Sequence, residues 1–139
     1  MKKTIVIVSG YFNPLHKGHL EYFKQAKSHG DLLYVIVNND NQRKKKGSKE
    51  FILEDERVLI IEALKLVDKV YLSIDMDRSV SKTVEKIFKE NYQTNDISFA
   101  NGGDQFMDNI LESKICKDLG IKLIDGLGAK IQSSSWILK

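Results

Sequence analysis

One cysteine, Cys116, is all the thiol chemistry the sequence offers, which excludes an internal disulfide and a cysteine-rich structural zinc cluster. No histidine lies near it in sequence, so the expectation is burial on a helix rather than nucleophilic catalysis. No apolar run approaches the roughly 20 residues that a membrane-spanning helix needs. Met1-Lys2-Lys3 leads straight into Ile5 to Val8, too short for a secretion-signal core and without a small-residue cleavage site, so a cytoplasmic protein is expected. Repeats and linkers are absent, and the only biased tract is a basic stretch over 42–48, read as a loop. The net charge of +3 is small: it suits an anionic small molecule and gives no reason to expect nucleic acid.

What the chain does have is length for one domain and the composition to fill it. Its 139 residues, 42% hydrophobic and 29% charged, are expected to form a single domain over 1–139. Short apolar, β-branched runs at 4–8, 32–37, 69–72, 97–100 and 121–124 read as buried strands. Amphipathic stretches at about 18–28, 54–66, 80–90 and 108–119 read as helices, with a last short one from about Ser133. This alternation specifies an α/β architecture: a Rossmann-like domain with a five-stranded parallel sheet and helices on both faces. Ligands on such sheets bind beyond the carboxyl ends of the strands, where strand order reverses, so segments that follow strands are where function is expected.

The most informative of these follows the first strand: Ser9-Gly10-Tyr11-Phe12-Asn13-Pro14-Leu15-His16-Lys17-Gly18-His19. It opens the first helix, whose N-terminus carries a partial positive charge that favours phosphate. His16 and His19 can add donors there, and Gly18 removes a side chain that would block approach. After the second strand come Asn38-Asn39-Asp40 and Arg43-Lys44-Lys45-Lys46-Gly47; after the fourth, Asn101-Gly102-Gly103-Asp104. Arg57 stands in the first turn of an acid-led helix, and Val67-Asp68-Lys69-Val70 follows that helix. The chain closes with Lys130-Ile131-Gln132-Ser133-Ser134-Ser135-Trp136, a serine cluster suited to a helix cap or to phosphate.

Together these segments resemble the cytidylyltransferase-like nucleotidyltransferases over nearly the whole chain, in the expected order. The resemblance implies that His16 and His19, from the His-x-Gly-His signature, and Lys46, from the lysine loop, serve catalysis. It implies nucleotide or substrate contacts for Gly10, Tyr11, Phe12, Asn13, Gly18, Arg57, Gly102, Gly103, Asp104, Lys130, Ser133, Ser134 and Ser135. Arg57 is open between phosphate contact and a structural role. Two departures stand out. Asn13 replaces the usual aspartate, as in the nicotinate mononucleotide adenylyltransferases, and Lys130 stands where an arginine is common.

The activity implied is attack by an acceptor's phosphate oxygen on the α-phosphorus of a nucleoside triphosphate, with release of pyrophosphate. Magnesium is expected through the triphosphate, with no protein metal ligands. The leading expectation is cytidylyl transfer from CTP to a small phosphorylated alcohol or sugar. Beside it stand ATP-dependent adenylyl transfer to a sugar phosphate such as heptose 1-phosphate and, in another class, a catalytically silent nucleotide- or RNA-binding module. The expected partners are the triphosphate (CTP or ATP) and a small phosphorylated metabolite, with no membrane or nucleic acid and self-association as a homodimer left open.

Overall fold

Val6 and Val8 of β1 (Lys3–Gly10) enter one hydrophobic cluster, Ile5 and Ile7 enter another, and all four are fully buried. A strand with no solvent-facing side needs cover on both faces, which is the physical reason for a layered α/β fold. The computed structural model describes residues 2–47, 49, 52–102 and 111–127. After β1 the elements are α1 (Lys17–Lys27), β2 (Leu32–Val37), α2 (Asp40–Lys46), α3 (Glu54–Glu62) and β3 (Lys69–Leu72). They continue with α4 (Ser81–Asn91), β4 (Asn95–Gly102), α5 (Ser113–Leu119) and β5 (Lys122–Leu127).

The five strands are parallel, in the order β3-β2-β1-β4-β5. Tyr22, Phe23 and Ala26 of α1 and Ile61 of α3 pack on the Val6–Val8 side. Val84 and Ile87 of α4 and Cys116 of α5 cover the other. Each fully buried aliphatic side chain here contributes roughly 1.5–3 kcal/mol relative to exposure. Cys116 is 0% exposed, and burial, followed by the nearby Glu112 charge, pushes its thiol up to about 12, so it stays protonated and unreactive. No helix among the described residues is long and apolar enough to cross a membrane.

The sheet and its covering helices agree with the sequence reading; three details differ. The basic stretch over 42–48, expected as a loop, carries most of α2. Asn39 caps this helix by accepting from Gln42 N at 2.9 Å, and Gln42 Oε1 reciprocates by accepting from Asn39 N at 2.9 Å. Gly47 closes it at φ 80°, a left-handed position that glycine occupies without strain, and the cations sit at the favourable C-terminal end of the helix dipole. Secondly, α3 stops at Glu62 rather than Leu66, because successive turns (Leu64 N to Ile61 O, Val67 N to Leu64 O) bring the chain back to β3. Asp68 then fixes that entry: its carboxylate accepts from Leu33 N at 2.8 Å and pairs with Lys27 at 2.6 Å. Thirdly, α5 begins at Ser113, with 111–112 in a turn; 108–110 of the expected helix, and the expected helix near Ser133, lie outside the described residues.

Strand order reverses beside β1: the chain steps outward to β2 and β3, then returns to add β4 on the other side. The crevice between the carboxyl ends of β1 and β4 is therefore the expected ligand position. A register shift between Ala100 and Gly102 bends β4 at this edge, a kind of irregularity frequent next to functional sites.

Candidate active site

The segment that leaves β1 turns sharply, and an aromatic ring holds it. Phe12 lies at φ 52°, an uncommon conformation for a bulky residue, and is 2% exposed. Its ring meets His19 edge-on at 5.0 Å between centroids and Phe23 at 5.3 Å. Gly10 leaves room for that ring, since a Cβ there would sit 2.8 Å from Phe12 Cζ. Gly10 and Phe12 thus position the loop. Asn13, 2% exposed across a cis bond to Pro14, donates from Nδ2 to Lys49 O at 2.7 Å and accepts from Ile52 N at 2.9 Å. An aspartate could not make the first bond, which gives a physical reason for asparagine at this position.

The two histidines then interlock. His16 caps α1, its Nδ1 accepting from Gly18 N at 3.0 Å, while His19 Nδ1 accepts from His16 N at 3.1 Å. The rings stack with centroids 3.8 Å apart and planes 25° apart. A ring nitrogen that accepts an N–H carries no proton, so these bonds assign both neutral imidazoles the Nε2–H tautomer. Burial lowers the pKa of His16. For His19, burial and then the His16 charge bring it down to about 3. Both rings are therefore neutral near pH 7, and each offers one N–H donor. His16 Nε2 is buried with no hydrogen-bond partner among the described residues, and an orphaned donor of this kind costs about 1–3 kcal/mol unless something supplies an acceptor.

The helix amides contribute less than the sequence suggested. Gly18 N is committed to His16 Nδ1, and His19 N donates to His16 O at 3.0 Å. The partial charge of the helix terminus remains, but the directed donors are the imidazoles. Tyr22 ties this helix to the other wall of the crevice through a 2.5 Å bond from its hydroxyl to Ala100 O.

Lys46 reaches the same edge, its Nζ 4.5 Å from the centroid of the Tyr11 ring. Burial of the ammonium, followed by the charge of Arg78, lowers its pKa. Arg57 is 1% exposed, and its guanidinium bonds to the protein. It donates to Ile52 O (3.0 Å), Tyr11 O (2.6 Å), Asn38 O (2.7 Å) and Asp40 Oδ1 (2.8 Å). These bonds make Arg57 a brace joining the segments after β1 and β2 to α3.

Gly102 ends β4 at the crevice. Gly103, Asp104, Lys130, Ser133, Ser134 and Ser135 lie outside the described residues. Sequence reasoning passed over the segment 73–80, although it follows β3 and so satisfies the same rule as the others. It also missed Gln42, 0% exposed, which donates to Asp77 O and Ser79 O at 2.7 Å each and anchors that segment. Among the described residues no three His, Cys, Asp or Glu side chains gather as metal ligands. The donors at the crevice are N–H groups and cations, a chemistry that fits phosphate oxygens.

Comparison with known proteins agrees with this geometry. The model of the cytidylyltransferase-like family matches residues 7–122. An FAD synthase of Picrophilus torridus is 31% identical over 135 residues, covering 94% of this chain and 90% of the relative. An FAD synthase of Methanococcoides burtonii is 31% identical over 144 residues, covering 98% and 92%. The solved structure of a lipopolysaccharide core biosynthesis protein from Thermoplasma volcanium superposes with a TM-score of 0.68 at 30% identity, covering 91% of this chain and 98% of that one. The chain belongs to the cytidylyltransferase-like family and is a nucleotidyltransferase.

Proposed function

We infer that the protein is an adenylyltransferase that joins the AMP portion of ATP to the phosphate of FMN, forming FAD and pyrophosphate. The observation that carries the reaction type is the His16–His19 pair, two neutral imidazoles locked as Nε2–H donors at the β1–β4 crevice. The choice of ATP and flavin over CTP and a small polyol is supported by the two FAD synthase relatives, which align with nearly the whole chain. FMN keeps the acceptor class that the motifs imply, because its ribityl phosphate is a phosphorylated alcohol.

In the step proposed, an oxygen of the FMN phosphate forms a bond to the α-phosphorus of ATP as the bond to the β-phosphate oxygen breaks. The attacking oxygen is already anionic, so no general base is needed, and catalysis rests on alignment and on stabilising charge on the moving groups. His16 and His19 donate to the triphosphate, and Lys46 supplies mobile positive charge beside it. Magnesium bound through the triphosphate would offset charge on the phosphate oxygens. Incubation with ATP and FMN should yield FAD and pyrophosphate in equal amounts, resolved by chromatography and a coupled pyrophosphate assay. CTP should give no flavin product. Turnover of CTP with a polyol phosphate, and none of ATP with FMN, would overturn the assignment.

A further inference from the structure

The segment 73–80 is held to the site more firmly than a surface loop requires. From α2 and its cap, Asn39 Nδ2 donates to Ser73 O and Asp75 O at 3.0 Å each, Gln42 Nε2 donates to Asp77 O and Ser79 O, and Lys45 Nζ donates to Met76 O. On the far side, buried Asp75 accepts from Lys82 N (2.7 Å), Thr83 N (3.0 Å) and Thr83 Oγ1 (2.6 Å), and Glu112 accepts from Val80 N at 2.8 Å. The segment is thereby tied to α2, the helix that ends at Lys46. Arg78 projects from its middle, exposed, while its neighbour Asp77 turns its carboxylate onto Ser79 N (3.1 Å) and Oγ (2.8 Å). The Arg78 charge is felt at both Tyr11 and Lys46, and neither Arg78 nor Lys46 is in an ion pair with a carboxylate among the described residues. The carbonyls on either side of Arg78, those of Asp77 and Ser79, are both bonded to Gln42 of α2. The backbone of Arg78 is thus fixed beside the helix whose end carries Lys46 over the Tyr11 ring. Two cations held near each other in this way favour an anion between them.

We propose that Arg78, on the segment bonded to α2, seats the phosphate monoester of the acceptor, on the β2–β3 side of the triphosphate that His16, His19 and Lys46 hold. This rests on the reading of the protein as a nucleotidyltransferase acting on FMN. The division of labour follows from the topology: α1 begins directly after β1, Arg78 comes from the segment after β3, and Lys46, after β2, lies between them. Two anions that must react are then gripped from different sides, and the planar guanidinium provides the two-pronged grip that fixes a phosphate's orientation.

The test is Arg78→Gln in the full chain, with initial rates measured against FMN and ATP separately and with binding of FMN and riboflavin compared. Arg78 is exposed and its side chain forms no hydrogen bond in the pinned network, so melting should be unchanged. KM for FMN should rise about ten- to a hundredfold, the worth of a charge-assisted hydrogen bond. KM for ATP should stay within about twofold, and riboflavin, which lacks the phosphate, should bind both forms equally. An unchanged KM for FMN, or an equal loss for ATP, overturns the proposal. If the wild-type protein makes no FAD, it is the flavin reading that fails, and inorganic phosphate then decides the site. With ATP present, a phosphate-induced rise in melting temperature that is lost in Arg78→Gln supports the anion seat; an equal rise in both proteins, or none in the wild type, overturns it.

Discussion

Replacing His16 or His19 by alanine lowers kcat by about a hundredfold or more, the loss expected when a preorganised donor to developing charge is removed. The pair also caps α1, so alanine at His16 additionally costs about 1 kcal/mol of stability. His16→Asn separates the two effects. Asparagine is a strong N-cap and can accept from Gly18 N as the imidazole does, but it does not extend to where Nε2 lies. That variant should melt like the wild type and still lose most of its turnover. Wild-type rates in both alanine variants, or recovery of turnover in His16→Asn, would show that the rings serve only the helix.

The second large effect falls on stability. Arg57→Met leaves the carbonyls of Ile52, Tyr11 and Asn38 and the Asp40 carboxylate without their shared donor. Removing one partner of a buried charged network destabilises by roughly 3–5 kcal/mol, measured as a lowered midpoint in urea. Arg57→Lys should recover little, because one ammonium on a flexible stem cannot serve four acceptors in different directions. Turnover should fall as well, through disorder of the segments after β1 and β2. A stability loss below about 1 kcal/mol, with KM for ATP strongly raised, would place Arg57 among the ligand contacts instead.

Strands were the most legible part of the fold. The apolar run at 32–37 coincides with β2, because a strand buried on both faces must be a short apolar block and little else competes for that pattern. The run at 69–72 coincides with β3, a half-exposed edge strand marked by its β-branched and aromatic residues. The basic stretch was misread because charge was given more weight than capping. Asn39, Gln42 three residues on and Gly47 past the end are a complete helix signature, and lysine is a good helix former. In the site, residue types pointed to the segments that follow the strands but could not tell inward from outward. Phe12, Asn13 and Arg57 sit beside the crevice and face the protein, since their burial is fixed by partners 11 to 46 residues away in sequence (Phe23, Lys49, Ile52, Tyr11). Arg78 had no motif around it at all. Its placement depends on the bonds from Asn39 and Gln42 to the segment 73–80, and periodicity carries no trace of them.

The histidines offer the most direct test of the central claim, because the sequence holds three of them and only two belong to the crevice. His29 follows the far end of α1 and is exposed, so it serves as an internal control. With ¹⁵N-labelled histidine, nuclear magnetic resonance reports protonation and tautomer for each ring, first alone at pH 7 and then on addition of ATP with magnesium. Before ATP, His16 and His19 should both be neutral with the proton on Nε2, and His19 should remain so on acidification to pH 5, since its pKa lies at about 3. On addition of ATP the Nε2 signals of His16 and His19 should move while those of His29 stay in place. A proton found on Nδ1 of either crevice ring, or ATP bound with both pairs of signals unmoved, would contradict the account.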